Sequence, residues 1–279
     1  MTSLKKFTLT SGLYLLLCLC FGIIVIFTNG LDGRVKKFNL KGFKTNKEYF
    51  NHLQDNYFLC ENRKLNTNEG LYPQCFQSKR GSVKNIIFGD SHSNHLFIGL
   101  ANHLHDKGVL SYYKNSIPDI NNSDFFPMIE YLQKHKAKLR VFITFNFLLR
   151  KPSQINLSEG LTNLIRKIKS MKHEVVIIGG LPDFRIYTVD NCLKNLHALN
   201  LDNNCTLELS DFLDEYKPYS SSLGIIAKNE NTAFVEIYEA LCDKLTCRMI
   251  RDDKLLFRDD VHLNEIGSLE VSKIIMKKL

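Results

Sequence analysis

The chain has 279 residues, 44% of them hydrophobic and 24% charged, which excludes a disordered protein and leaves room for one sizeable domain plus an appendage. Its formal net charge is +8, but Lys5, Lys6, Arg34, Lys36, Lys37, Lys41, Lys44 and Lys47 against Asp32 and Glu48 place +6 of it within residues 1–50. Residues 51–279 keep only +2, which excludes a basic groove for nucleic acid.

Residues 1–6 read as a cytoplasmic tail. From Phe7 to Leu31 there are 25 residues without a charge, and a helix needs about 20 apolar residues to cross a bilayer. Phe27-Thr28-Asn29-Gly30 offers no small-x-small cleavage site, so residues 7–31 are expected to be an uncleaved transmembrane signal anchor. Basic residues flank both ends and leave the orientation open. Cysteines decide it. Cys18 and Cys20 lie in the span, whereas Cys60, Cys75, Cys192, Cys205, Cys242 and Cys247 form three close-spaced couples in segments that read as loops or edges. That is the pattern of disulfides in an oxidising compartment. No C-x-x-C is present and no His stands at ligand spacing from these couples, so zinc is not expected.

Residues 32–57 are Lys/Asn-rich with little periodicity and read as a stalk, with an extracytoplasmic domain following over 58–279. Within it, Val83–Phe88 reads as a buried strand, followed by a helix over about Asn94–His105. Val109–Tyr113 is a second strand, Phe125–Lys138 a helix, Leu139–Phe145 a third strand and Leu161–Lys172 an amphipathic helix. Glu174–Ile178 is a fourth strand, stopped by Gly179-Gly180-Leu181-Pro182. After a cysteine-containing excursion and a further helical stretch, Ala233–Ile237 is a fifth, and Asn264–Leu279 a closing helix. This alternation predicts an α/β fold with a doubly wound, flavodoxin-like parallel sheet of about five strands. Sites in such sheets gather beyond the carboxyl ends of the strands.

The first strand runs into Gly89-Asp90-Ser91-His92. The glycine permits a sharp exit, leaving Ser91 at the start of the next helix. A serine needs a base and the base an orienting carboxylate. Asp259-Asp260-Val261-His262-Leu263, just before the last helix, offers both. Its i, i+3 spacing favours Asp259 over Asp260 as the partner of His262, with the outer ring nitrogen left for Ser91. His95, His103 and His105 read as ordinary helix residues, and Asp183 as a turn residue.

Gly89-Asp90-Ser91-His92 and Asp259-x-x-His262-Leu263 resemble the first and last blocks of the SGNH hydrolase superfamily. More narrowly, Leu241-Cys242-x4-Cys247, Leu256-Phe257-Arg258-Asp259 through Gly267, and the exit Asn29–Arg34 resemble the extracytoplasmic SGNH domain fused to acyltransferase-3 membrane proteins, over about residues 10–279. The resemblance implies Ser91 as nucleophile, His262 as general base and Asp259 as its orienter. It also implies an oxyanion hole built from the Ser91 backbone N–H, a Gly after the second strand and an Asn after the third. Asn146 keeps the last of these, in Thr144-Phe145-Asn146-Phe147. Asn115-Ser116-Ile117-Pro118 lacks the glycine, leaving a backbone N–H near Ser116 as a substitute. The short Cys242–Cys247 loop is expected to close, with Cys60–Cys75 and Cys192–Cys205 as the remaining disulfides.

The function so implied is transfer or hydrolysis of an acyl ester, with acetyl as the expected group, on a cell-envelope polysaccharide. It would occur on the periplasmic side of the cytoplasmic membrane, without a cofactor, and with a separate multi-span membrane acyltransferase as partner. The alternatives are a non-catalytic glycan-binding or assembly subunit, and a lipid esterase, for which no long apolar lid is visible.

Overall fold

A computed structural model describes residues 41–69, 71–185 and 205–279, together with Val189, Cys192 and scattered positions between 14 and 25. The expected tail 1–6 and most of the expected span 7–31 lie outside these residues. Among the described residues no helix is long and apolar enough to cross a membrane.

The first element corrects the expected stalk. Asn46–Asn56 is a helix (α1) that buries Tyr49, Phe50 and Leu53. Thr45 caps it by accepting a hydrogen bond from the Glu48 N–H at 3.2 Å, the Thr-x-x-Glu pattern that opens helices. An apolar face one turn long, Tyr49 and Phe50 with Leu53, then fixes it to the domain. The domain therefore begins at or before residue 41 and not at 58. Even Lys41 bonds to it, its N–H reaching Asp253 O and its carbonyl receiving Leu255 N.

The central sheet has seven strands. In chain order they are β1 Phe58–Leu59, β2 Cys75–Gln77, β3 Asn85–Gly89, β4 Val109–Tyr113, β5 Arg140–Thr144, β6 Glu174–Ile178 and β7 Ala233–Val235. Their spatial order is β1-β2-β4-β3-β5-β6-β7. The five strands from β4 to β7 across the sheet are all parallel, in the doubly wound arrangement the sequence predicts. Their apolar runs follow from burial: β3 and β4 are buried throughout, and β5 and β6 at all but their first residue. The edge strand β1 and its neighbour β2 are antiparallel additions, and a disulfide joins Cys60, just after β1, to Cys75 of β2. Cys192–Cys205 and Cys242–Cys247 also form, completing the expected pairing.

The helix expected at Asn94–His105 starts earlier and divides into α2 Ser91–His95 and α3 Phe97–His103. Then come α4 Phe126–Lys134, α5 Phe147–Arg150, α6 Gln154–Ser170, α7 Leu209–Asn229 and α8 Glu265–Lys278. Helix α3 packs on α8 so closely that a Cβ at Gly99 would lie 2.1 Å from the Ser268 carbonyl oxygen. That contact seats the end of the chain beside the segment following β3. Among the five parallel strands, the order reverses between β4 and β5, on either side of β3. A ligand crevice opens at such a switch point, at the carboxyl end of the strands.

Candidate active site

Strand β3 delivers the chain to that crevice. A Cβ at Gly89 would lie 1.6 Å from the Thr144 carbonyl oxygen of β5, so only glycine fits there. Asp90 then caps α2, its Oδ1 accepting the His92 N–H at 2.9 Å. Its Oδ2 accepts the Asn146 N–H at 3.0 Å and Arg150 Nε at 3.2 Å. Asp90 is fully buried, and burial pushes its carboxyl up, opposed by these two backbone donors and the Arg150 charge. One carboxylate thus joins the start of α2 to the end of β5. Ser91, the first residue of α2, is half-buried beside it.

The loop before α8 is closed by a bridge between Phe257 and Leu263 and by the Arg258 N–H on the His262 carbonyl at 2.9 Å. Asp259 turns back within it. Its Oδ1 accepts the N–H groups of Val261 at 3.0 Å and His262 at 2.7 Å. The imidazole is gripped from one side: His262 Nδ1 lies 2.8 Å from Asp259 Oδ2. On the other side His262 Nε2 lies 2.7 Å from Ser91 Oγ. The carboxylate accepts only, so Nδ1 carries the proton and Nε2 offers a lone pair to the serine hydroxyl. Burial raises the Asp259 pKa, but the His262 hydrogen bond, the charges of His262 and Arg258 and the Val261 N–H outweigh it. They hold the group well below the ordinary carboxylate range. Asp259 therefore stays ionised and keeps the ring oriented.

The fold thus brings Ser91 to the Asp259–His262 pair, with His262 lying 171 positions further along the chain. Asp260 stands aside, its carbonyl accepting the Phe184 N–H at 2.9 Å. Asp183 pairs with Arg185 at 2.7 Å, and His105 with its exposed neighbour Asp106 at 3.0 Å. His95 is different. It lies in the core with His92, the two rings 4.5 Å apart and within 6.0 Å of the His262 ring. Burial first, then the neighbouring imidazoles, hold both well below the usual histidine range. They form a neutral, packed floor under His262. Among the described residues no group of His, Cys, Asp and Glu is arranged to hold a metal.

Asn146 follows β5 and does two things. Its Oδ1 caps α5 through the Leu149 N–H at 2.9 Å, and its Nδ2 is buried without a hydrogen-bond partner. Ser116, near the expected backbone donor, gives its side-chain hydroxyl to Asp124 Oδ2 at 2.7 Å. Sequence reasoning missed Arg150, which spans Asp90 and Asn115, and the pair Asn46 and Arg258 behind Asp259. The Asp90 and Asn146 neighbourhoods gave no clue to Arg150. The Thr45-x-x-Glu48 start could have signalled the helix that carries Asn46, but no spacing in the sequence ties that residue to Asp259.

A serine, an imidazole and a half-buried carboxylate in contact at the crevice of a parallel sheet are the arrangement of the hydrolase and acyltransferase class. Residues 60–277 match the family described as "SGNH domain (fused to AT3 domains)", and the chain belongs to that family. Among solved structures it is similar to the periplasmic domain of the lipopolysaccharide acetyltransferase of Salmonella ser. Paratyphi A. That likeness has 18% identity and a TM-score of 0.53, over 72% of this chain and 84% of that one. An acetyl xylan esterase, AlAXEase, matches with 17% identity and a TM-score of 0.44, over 69% of this chain and 98% of that one. A GDSL-like lipase from Bacteroides thetaiotaomicron matches with 12% identity and a TM-score of 0.42, over 70% and 86%. No functionally curated protein matches the chain.

Proposed function

We propose that this domain moves acyl groups, acetyl in the first instance, to or from hydroxyls of a cell-envelope polysaccharide through an ester on Ser91. The observation that carries this reading is the unbroken contact from Ser91 Oγ to His262 Nε2 at 2.7 Å and from His262 Nδ1 to Asp259 Oδ2 at 2.8 Å. In the first step Ser91 Oγ attacks the ester carbonyl as its proton passes to His262 Nε2. The tetrahedral oxyanion is met by the Ser91 backbone N–H and Asn146 Nδ2. Collapse breaks the bond to the leaving oxygen, which takes the proton from His262 and departs, leaving acyl-Ser91. A second hydroxyl then gives its proton to His262 and attacks the acyl carbon; collapse of this second tetrahedral oxyanion breaks the bond to Ser91 Oγ, which takes the proton back from His262. Water in that role gives an esterase and a sugar hydroxyl gives a transferase. The Asp259 carboxylate stabilises the imidazolium that forms in each half.

Three disulfides support an oxidising location for the domain. With the uncharged run 7–31 they support a single-pass protein of the cytoplasmic membrane whose domain faces the periplasm. The fusion of this family to AT3 domains supports a working partnership with a multi-span acyltransferase that delivers the acyl group. The test is envelope glycan acylation in cells carrying Ser91→Ala or His262→Ala at normal expression. Either variant should abolish the acylation change seen with the wild type. Unchanged acylation in both would refute the reading.

A further inference from the structure

We infer that Asn46, on a helix that precedes the family-matched segment, is a positioning residue for the Asp259–His262 pair. The inference rests on the proposed role of Asp259 and extends the site to a residue 213 positions away. Asn46 Nδ2 donates to Asp259 Oδ2 at 3.2 Å, and Asn46 Oδ1 accepts from Arg258 Nε at 2.6 Å. A carboxylate only accepts and a guanidinium only donates, so this orientation of the amide is chemically fixed.

The donors to Asp259 show why that one bond matters. Oδ1 is held by the backbone N–H groups of Val261 and His262, both within its own loop, and also lies 3.0 Å from His262 Nδ1. Oδ2 is shared by His262 Nδ1 and Asn46 Nδ2. Asn46 is thus the one side chain outside the loop that donates to this carboxylate among the described residues. Without it, the second oxygen is restrained only by the ring it has to orient. The far end of the brace is rigid. Arg258 is 4% exposed, its guanidinium lies 3.8 Å over the Tyr49 ring, and its Nη1 donates to the Leu263 carbonyl. Tyr49, one turn along α1 from Asn46, donates to the Asn94 carbonyl of α2 at 2.8 Å. Helix α1 therefore touches both the Asp–His loop and the helix that carries Ser91. The chain just before the family-matched residues 60–277 is part of the catalytic frame.

Three substitutions in the full chain separate positioning from mere packing. Asn46→Ala should lower kcat on a model acetyl ester by roughly three- to tenfold with KM nearly unchanged, the range expected for one lost hydrogen bond. Asn46→Asp, nearly isosteric, keeps and strengthens the acceptor toward Arg258 but turns a second carboxylate oxygen toward Asp259. Positioning predicts a larger loss than for Asn46→Ala. Thr45→Ala weakens the helix cap without touching Asp259 and should leave kcat within twofold. A readout independent of turnover is the downfield proton resonance of the His262 Nδ1–H bonded to Asp259. It should be displaced or broadened in both Asn46 variants and not in Thr45→Ala. Should Asn46→Ala misfold, Asn46→Asp decides alone. Wild-type kcat and an unmoved resonance in Asn46→Asp would overturn the inference by reducing Asn46 to a prop for Arg258. If the wild type hydrolyses no ester, the proposed function fails while the resonance still tests the brace.

Discussion

Replacing Asp90 with Ala should be costly for stability out of proportion to its size, because three donors converge on one buried carboxylate. The first cost is the helix cap: Asp90 Oδ1 accepts the His92 N–H at 2.9 Å, and losing an N-cap costs about 1 kcal/mol. The second is the Asn146 N–H, held at 3.0 Å by Oδ2 in a buried setting. Left without a partner, it costs about 1–3 kcal/mol. The third is Arg150, whose side chain is 18% exposed and turns to solvent when its partner goes, so it adds little. The expected loss is about 2–4 kcal/mol, measured by urea unfolding with the disulfides intact. Thr45→Ala supplies the reference, since among the described residues the Thr45 side chain bonds only to the Glu48 N–H that it caps; it should cost about 1 kcal/mol. The difference between the two variants isolates the Asn146 link. If Asp90→Ala costs no more than Thr45→Ala, Asp90 is an ordinary cap, and the coupling of α2 to the end of β5 is not what holds the site together.

Two further outcomes follow from the same structure. The folded Asp259 pKa lies below its unfolded value of about 3.9, so folding favours the ionised form. That stabilisation is fully present above about pH 5 and is lost as pH falls through the unfolded value toward the folded one. Asp259→Asn should therefore show a shallower fall in Tm than the wild type between about pH 5 and pH 3; parallel curves would contradict the assigned partners of Asp259. The Cys60–Cys75 bond closes a separation of 15 residues at the antiparallel edge of the sheet. Replacing both cysteines with Ser should cost about 3 kcal/mol in urea unfolding, since a loop of that size carries about that closure entropy. A loss under about 1 kcal/mol would mean that the edge is held by its strand pairing alone.

What the sequence made legible was what repeats or what is chemically singular. The four longer parallel strands were readable because strands buried on both faces must be apolar throughout, and Val109–Tyr113 and Glu174–Ile178 have the observed bounds. The meeting of Ser91, Asp259 and His262 was readable because a serine at a strand exit and an Asp-x-x-His before the last helix have few other uses together. The short strands Phe58–Leu59 and Cys75–Gln77 left no periodic trace, since two or three residues cannot show a period. Helix α1 was hidden by composition. Lys/Asn-rich flanks around Tyr49, Phe50 and Leu53 read as solvated chain; the Thr45-x-x-Glu48 cap was its one local signal, and the tertiary contact of those three apolar residues fixes it to the domain. The support around the site was illegible for another reason. Asn46 and Arg258 lie far apart in sequence, and no spacing rule links an amide in one loop-like segment to a carboxylate near the opposite end of the chain.

The acyl-serine intermediate can be looked for directly. The protein is mixed briefly with p-nitrophenyl acetate, quenched in acid, digested and sequenced by mass spectrometry, with Ser91→Ala treated in parallel. Acid denatures the protein and stops deacylation, so an ester formed on the pathway is trapped. The expected result is one acetyl group on the peptide containing Ser91 in the wild type, and none at that position or elsewhere in the variant. Turnover without acetyl on Ser91, or equal acetylation and turnover in Ser91→Ala, would contradict the account at its centre.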